Sequence, residues 1–240
     1  MPNIPVNNCC GCTACYNICH NAAIQMLPDD EGFLYPVIDR GLCTECGRCE
    51  KVCPIINKPE VYKEYSECVV AQSSCEEVLN ESTSGGFIDA LCKHVIDNNG
   101  YAVGVTYNQE FLPIHTFADS YEDAKEFRNS KYAQSDMSDI FKKVRNLLSK
   151  DVKLVFVGTP CQIAGLKSFL SKDYENLITV DLVCRSIPSS KLWRKYLDYQ
   201  ENRYKSKVQN VVFRKKHMVI IVVHWRLSLK TEKVMQVAIA

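Results

Sequence analysis

Two runs near the N-terminus decide how this chain is read. They are Cys9-Cys10-Gly11-Cys12-Thr13-Ala14-Cys15-Tyr16-Asn17-Ile18-Cys19 and Cys43-Thr44-Glu45-Cys46-Gly47-Arg48-Cys49-Glu50-Lys51-Val52-Cys53, the second followed by Pro54. Both carry C-x2-C-x2-C-x3-C, offset by 34 residues. In such a run three thiolates from a tight loop wrap one side of an iron–sulfur cube. The fourth cysteine reaches across to the other cube. Cys9, Cys12, Cys15 and Cys53 are therefore expected to hold one [4Fe–4S] cluster, and Cys43, Cys46, Cys49 and Cys19 the second. Zinc is the competing occupant, but it prefers two separated cysteine pairs to overlapping triples with a distant fourth. Cys10 stands beside a ligand, out of register, and reads as a small packing thiol. His20 holds the place that Pro54 holds in the second run and belongs to neither ligand set.

Working outward, Ala23–Met26 and Phe33–Val37 flank Asp29-Asp30-Glu31-Gly32 and predict a hairpin between the two runs. A ferredoxin-like module of residues 1–57 is too short to bury much apolar surface, so the two clusters would act as its core. Pro59 and a group of charged residues mark 58–67 as a linker.

The remaining composition is that of an ordinary globular protein, with 46% hydrophobic and 24% charged residues and a formal net charge of +1. That balance gives no argument for nucleic acid or an anionic membrane. The charge is uneven, at −3 over residues 1–57 (3 basic, 6 acidic) and +7 over 201–240 (9 basic, 2 acidic). No run approaches the roughly 18 apolar residues of a membrane span. The start of the chain lacks a signal peptide's basic stretch and apolar core. Cytoplasmic residence is the expectation, and there fourteen cysteines point to metal or redox work rather than disulfides.

From Cys68 the texture changes to alternating helix and strand signals. Phe87, Ile88, Leu91, Val95 and Ile96 share one helical face, closed by Gly100. Tyr101–Tyr107 and Phe111–Phe117 read as strands. Ile140, Val144, Leu147 and Leu148 mark a helix with Ser135 or Asp136 as its N-cap. Lys153–Val157 and Leu177–Val183 are further strands, and Ser189 to about Tyr199 another helix. Val69–Ala71 and Trp193 read as core or helix packing. The fold class is α+β: a ferredoxin-like dicluster domain followed by an α/β domain with a mixed sheet over residues 68–216.

Two strings in that domain resemble anion sites. Ser84-Gly85-Gly86 places small residues at a helix start, and Gly158-Thr159-Pro160-Cys161-Gln162 does so after a buried strand, where doubly wound sheets bind ligands. With Ser130-Lys131-Tyr132, Gly165-Leu166, Asp181-Leu182-Val183-Cys184, Pro188-Ser189 and Phe213-Arg214, they occur in the order seen in a known family. The chain resembles the beta subunits of coenzyme F420-reducing hydrogenases and F420-linked dehydrogenases. That resemblance implies an iron–sulfur flavoprotein in which FAD exchanges electron pairs with a soluble carrier or a redox partner protein. It makes Ser84, Gly85, Gly86, Lys131, Gly158, Thr159 and Cys161 the candidate flavin-site residues. Cys161 and Cys184 stand at strand ends where a further cluster or redox thiol could be built. Where the family usually shows Cys-His-Gly, this chain has Cys184-Arg185-Ser186.

After Phe213-Arg214 the resemblance is expected to stop. Residues 217–240, with the β-prone run Val219–Val223, read as an atypical tail on a shortened member of the family, a shifted reading frame being the favoured cause. A genuine short relative whose last strand pairs with a sheet edge is the alternative. The leading function is an oxidoreductase subunit passing electrons between flavin and clusters. A stand-alone electron carrier and a non-catalytic remnant are the competitors. No residue is singled out as catalytic.

Overall fold

The computed structural model describes residues 8–58, 68–214, 223–229 and 234–239. The expected linker after Lys58, His217 and the greater part of the Val219–Val223 run lie outside them. The first module contains α1 (Ala14–Ile18), β1 (Ile24–Pro28), β2 (Leu34–Ile38) and α2 (Arg48–Lys51). The expected hairpin is there, with Ile24 opposite Ile38 and Pro28 opposite Leu34.

The second domain begins with α3 (Glu76–Glu81) and α4 (Phe87–Asp97), followed by β3 (Tyr101–Tyr107) and β4 (Pro113–Ala118). Then come α5 (Tyr121–Ala124), α6 (Ile140–Leu148), β5 (Leu154–Gly158), α7 (Pro160–Leu170), β6 (Leu177–Asp181) and α8 (Ser190–Tyr204). The sheet order is β4-β3-β5-β6, antiparallel between β3 and β4 and parallel elsewhere, which is the mixed sheet expected. β5 is buried along its whole length because helices cover both faces. Val155 and Val157 meet Cys92 and Val95 of α4 on one face. Leu154 and Phe156 face α6 and α7 on the other.

The N-terminal module packs on that second face. Cys12, Cys15, Ile18, Ile24 and Val52 belong to the same buried cluster as Phe141, Phe156, Leu166 and Phe169. One core therefore spans both domains. Hydrogen bonds reinforce it: Asn17 Nδ2 donates to Ser138 O at 3.0 Å, and the amide of Leu34 to Gln134 Oε1 at 3.1 Å. At the hairpin tip, Lys191 Nζ donates to Asp30 O at 2.6 Å and Ser189 Oγ donates to Glu31 O. Gly32 faces Lys191 so closely that a Cβ there would stand 2.1 Å from the lysine's own Cβ.

Several sequence expectations are corrected. Val69 and Val70 are exposed rather than core, at 73% and 105% of full accessibility. β6 ends at Asp181, not Val183, because its last pairing is with Gly158, where β5 stops. The N-cap of α6 is Asp139. Ser135 and Asp136 are engaged elsewhere, Asp136 in a bridge to Ile114. Trp193 is core as expected, 2% exposed.

β7 (Val208–Val212), β8 (Val223–Leu229) and β9 (Val234–Ile239) form a separate antiparallel sheet. Val212 pairs with Arg226, and Trp225 with Val237. The segment read as an atypical tail thus contributes two strands to this sheet.

Candidate functional site

The two cysteine runs repeat in backbone conformation as well as in spacing. Gly11 and Thr13 have φ of 66° and 64°, and Glu45 and Gly47, each 34 residues later, have 53° and 70°. Left-handed residues at alternate positions coil each loop so that its cysteines turn inward. Thr13 is β-branched and disfavours this conformation. It is held there by Asn17, whose Nδ2 donates to Thr13 O at 3.1 Å and to Thr13 Oγ1 at 3.2 Å.

The loops enclose two cavities. Cys9, Cys12, Cys15 and Cys53 line one of about 310 Å³, with Met26 and Ile55. Cys19, Cys43, Cys46 and Cys49 line another of about 360 Å³, with Ile24 and Ile38. Both volumes include space open to solvent. Each cavity takes three cysteines from one run and the fourth from the other, the crossed sets that the spacing predicts. Backbone amides support the sulfurs: Gly11 donates to Cys9 Sγ at 3.4 Å and Ala23 to Cys19 Sγ at 3.3 Å. Among the described residues no three His, Cys, Asp or Glu side chains converge as on a single metal ion. The donors ring a space instead, as a cube with its irons at four corners requires. Burial pushes the Cys15 thiol up to about 12, and the neighbouring Cys9, Cys53 and Cys49 push the same way. Burial likewise raises Cys9 and Cys49. Thiolates gathered in this way need cations between them.

The flavin-site candidates divide. α4 runs back against β3, and β3, β5 and β6 are parallel. The starts of α4 and α7 therefore both lie at the carboxyl edge of these strands, on opposite faces of the sheet. Cys184, exposed on the loop after β6, is at the same edge. Ser84 is half-buried, and Gly85 and Gly86 pack under residues 71–78: the amide of Ser73 donates to Gly85 O at 2.6 Å, and Gly86, with φ 75°, faces Val78. At α7, Gly158 closes the strand, the Thr159 amide donates to Gln162 Oε1 at 2.9 Å, and Pro160 has no amide hydrogen. The N–H groups expected to be free there are largely engaged or absent.

Lys131 is not placed to hold a phosphate. Its Nζ donates to the carbonyls of Glu126 (2.6 Å), Arg128 (2.7 Å) and Asn129 (3.4 Å), which accounts for all three of its protons. Burial pulls its pKa down to about 7, a pull the three carbonyls oppose by favouring the ammonium form.

Sequence reasoning assigned no partner to His115, which the structure places at the centre of a buried network. Its Nδ1 accepts from Ser135 Oγ at 3.0 Å, and its Nε2 donates to Val157 O at 3.3 Å. Gln162 Nε2 donates to Ser135 Oγ at 3.0 Å, linking the histidine to the start of α7. The ring stacks on Phe156, centroids 5.6 Å apart, and burial draws its pKa down to about 4.

Comparison with known proteins agrees with this geometry. Residues 8–56 match the family described as 4Fe-4S dicluster domain. Residues 151–238 match the family described as the C terminus of the coenzyme F420 hydrogenase/dehydrogenase beta subunit. The chain thus joins an iron–sulfur dicluster domain to a domain of the family formed by F420 hydrogenase/dehydrogenase beta subunits. The second match runs to residue 238, well past Arg214, so the expected end of the resemblance there is corrected.

A coenzyme F420-dependent sulfite reductase of Methanocaldococcus jannaschii is 27% identical, over 56% of this chain and 26% of that protein. In Methanosarcina mazei, one of the F(420)H(2) dehydrogenase subunits is 24% identical, over 62% of this chain and 54% of its own length. The chain therefore spans about a quarter and about half of these curated relatives. A chain of the F420-reducing [NiFe] hydrogenase complex from Methanosarcina barkeri shares the fold, with TM-score 0.50 and 19% identity over 70% of this chain and 58% of that one. No described helix is long and apolar enough to cross a membrane.

Proposed function

We propose that this chain is an iron–sulfur oxidoreductase subunit with two [4Fe–4S] clusters, which pass electrons between FAD at the carboxyl edge of the β3–β5–β6 strands and a redox partner protein or soluble carrier. The observation that carries the reading is the pair of cavities, each ringed by four cysteines drawn three-to-one from the two runs. Their size and apolar walls suit a cube. Cys9, Cys12, Cys15 and Cys53 would hold one cluster, and Cys19, Cys43, Cys46 and Cys49 the other. When bound, these groups supply one-electron steps and the flavin a two-electron step.

The chain's own contribution is placement. α7 is packed on the first cysteine loop, so the sheet edge and the nearer cavity are held at one distance. Apolar residues such as Met26 and Ile55 limit water around the sulfurs, and amides of Gly11 and Ala23 lower their electron density. We divide the sequence as a cluster domain over 1–57, a linker over 58–67 and an F420-family domain from residue 68. Residence in a reducing cytoplasm fits the fourteen cysteines, all free in the structure.

A second reading has its own support. The engaged amides at Thr159 and the carbonyl-bound Lys131 favour an electron carrier whose second domain docks a partner and holds no flavin. Anaerobic purification with iron, sulfide and flavin analysis tests both. About eight irons and eight sulfides per chain with one flavin is the expected result. Clusters without flavin would select the carrier, and stoichiometric zinc would sink both.

A further inference from the structure

Cys10 and Cys161 were read from the sequence separately, one as packing and one as a member of a helix start. In the fold they meet. Cys161 lies on the first turn of α7, with Thr159 Oγ1 3.2 Å from its Sγ. Its thiol is hydrogen-bonded to that of Cys10. Cys10 in turn is hydrogen-bonded to Cys12, which lines the nearer cavity. One helical turn along α7, Gly165 rests on Cys12, which fixes the approach of the helix to the loop. Cys10 and Cys161 are both partly exposed, neither belongs to a four-cysteine set, and they come from different domains. A thiol that only fills space has no need of a second thiol across an interface.

We propose that Cys10 and Cys161 are a redox-active dithiol that exchanges an electron pair with the two iron–sulfur clusters, its oxidised form being a disulfide joining the N-terminal module to α7. This rests on the cluster reading above. The step balances: the disulfide takes up two electrons, one from each reduced cluster, and two protons. The S–S bond breaks and two thiols form. In the reverse direction two thiols lose two protons and give one electron to each oxidised cluster. Cys12 connects the pair to its nearer redox neighbour, and the Thr159 hydroxyl lies beside the sulfur that gains a proton. Cys184, exposed on the neighbouring loop, is outside the pair and serves as a control.

The test uses the full chain, purified anaerobically and poised over a range of potentials with reduced and oxidised dithiothreitol. Samples are quenched in acid, which releases any clusters, and then alkylated under denaturing conditions and weighed. With fourteen cysteines, fourteen alkyl groups are expected at low potential and twelve at high potential. The thiol-to-disulfide ratio should change tenfold per about 30 mV, as a two-electron couple does. Peptide mapping should find Cys10 joined to Cys161. Cys10→Ser and Cys161→Ser should each carry thirteen alkyl groups at every potential with iron content unchanged, whereas Cys184→Ser should keep the step. Eight irons without a step would overturn the dithiol alone, as would a bridge to Cys184 or iron loss in Cys161→Ser. A step in protein that binds no iron would overturn both the dithiol's coupling to clusters and the cluster reading beneath it.

Discussion

A Cβ placed on Gly165 of α7 would stand 2.8 Å from both the Cβ and the Sγ of Cys12. The second domain therefore touches the first cysteine loop at a position where no side chain fits. Gly165→Ala gains about 1 kcal/mol of helix propensity, so any net loss must come from the contact. We expect Gly165→Val to lower iron from about eight to about four per chain, since only the nearer cluster should suffer. Retained far-ultraviolet circular dichroism would show that the fold persists. Full iron content in the valine variant would mean that the loop yields freely.

The crossed ligand sets predict which substitutions behave alike. Cys53→Ser should remove the same electron paramagnetic resonance signal as Cys9→Ser, and Cys19→Ser the same signal as Cys43→Ser. If Cys53→Ser instead matched Cys43→Ser, each cluster would be held by a single run.

Arg128 and Asp89 are a buried ion pair, side chains 6% and 4% exposed, joining α4 to the segment after α5. Tyr121 Oη donates to the same carboxylate at 2.5 Å. Asp89→Ala would strand the guanidinium in the interior and should cost about 3–5 kcal/mol. The urea midpoint is the readout. A double replacement of Asp89 and Arg128 by apolar residues should recover part of that loss, and a single variant as stable as the parent would show the pair to be idle.

His115 gives the protein an acid limit. Its folded pKa is near 4, below the usual histidine value of 6.5. Below about pH 6.5 the unfolded chain binds a proton that the folded chain refuses, so stability falls as pH drops from 6.5 to 4. This group contributes on the order of 3 kcal/mol across that window, from about 1.36 kcal/mol per pKa unit. Denaturant melts of His115→Gln against the parent should show a shallower acid slope in the variant. Parallel slopes would place the acid limit elsewhere.

The cluster loops were legible because their information is local: spacing alone determines which cysteines share a cube, and the cavities follow the same crossing. α4 and β3 were legible for a similar reason, since their periodicities point to faces that the sheet then buries. What stayed hidden was non-local. His115 finds Ser135 twenty residues away and Val157 forty-two residues away, and only the β4-β3-β5 order brings them together. Ser135 has the chemistry of an N-cap, but that network claims its hydroxyl, and the cap of α6 falls at Asp139 instead. Lys131 resembled a phosphate ligand because composition cannot reveal that three nearby carbonyls already surround it. Cys10 looked incidental because its partner lies 151 residues further along the chain.

The Asp29–Gly32 turn, held by Ser189 and Lys191, has a kinetic consequence. With its hairpin tip anchored on α8 and its cysteine loop resting on α7, the small domain has no room to swing like a tethered shuttle. The gap an electron crosses inside this chain is then set when the chain folds, not by diffusion of a mobile head. Internal transfer measured in flash-reduction experiments should be indifferent to added glycerol, and only delivery to an outside acceptor should slow with viscosity.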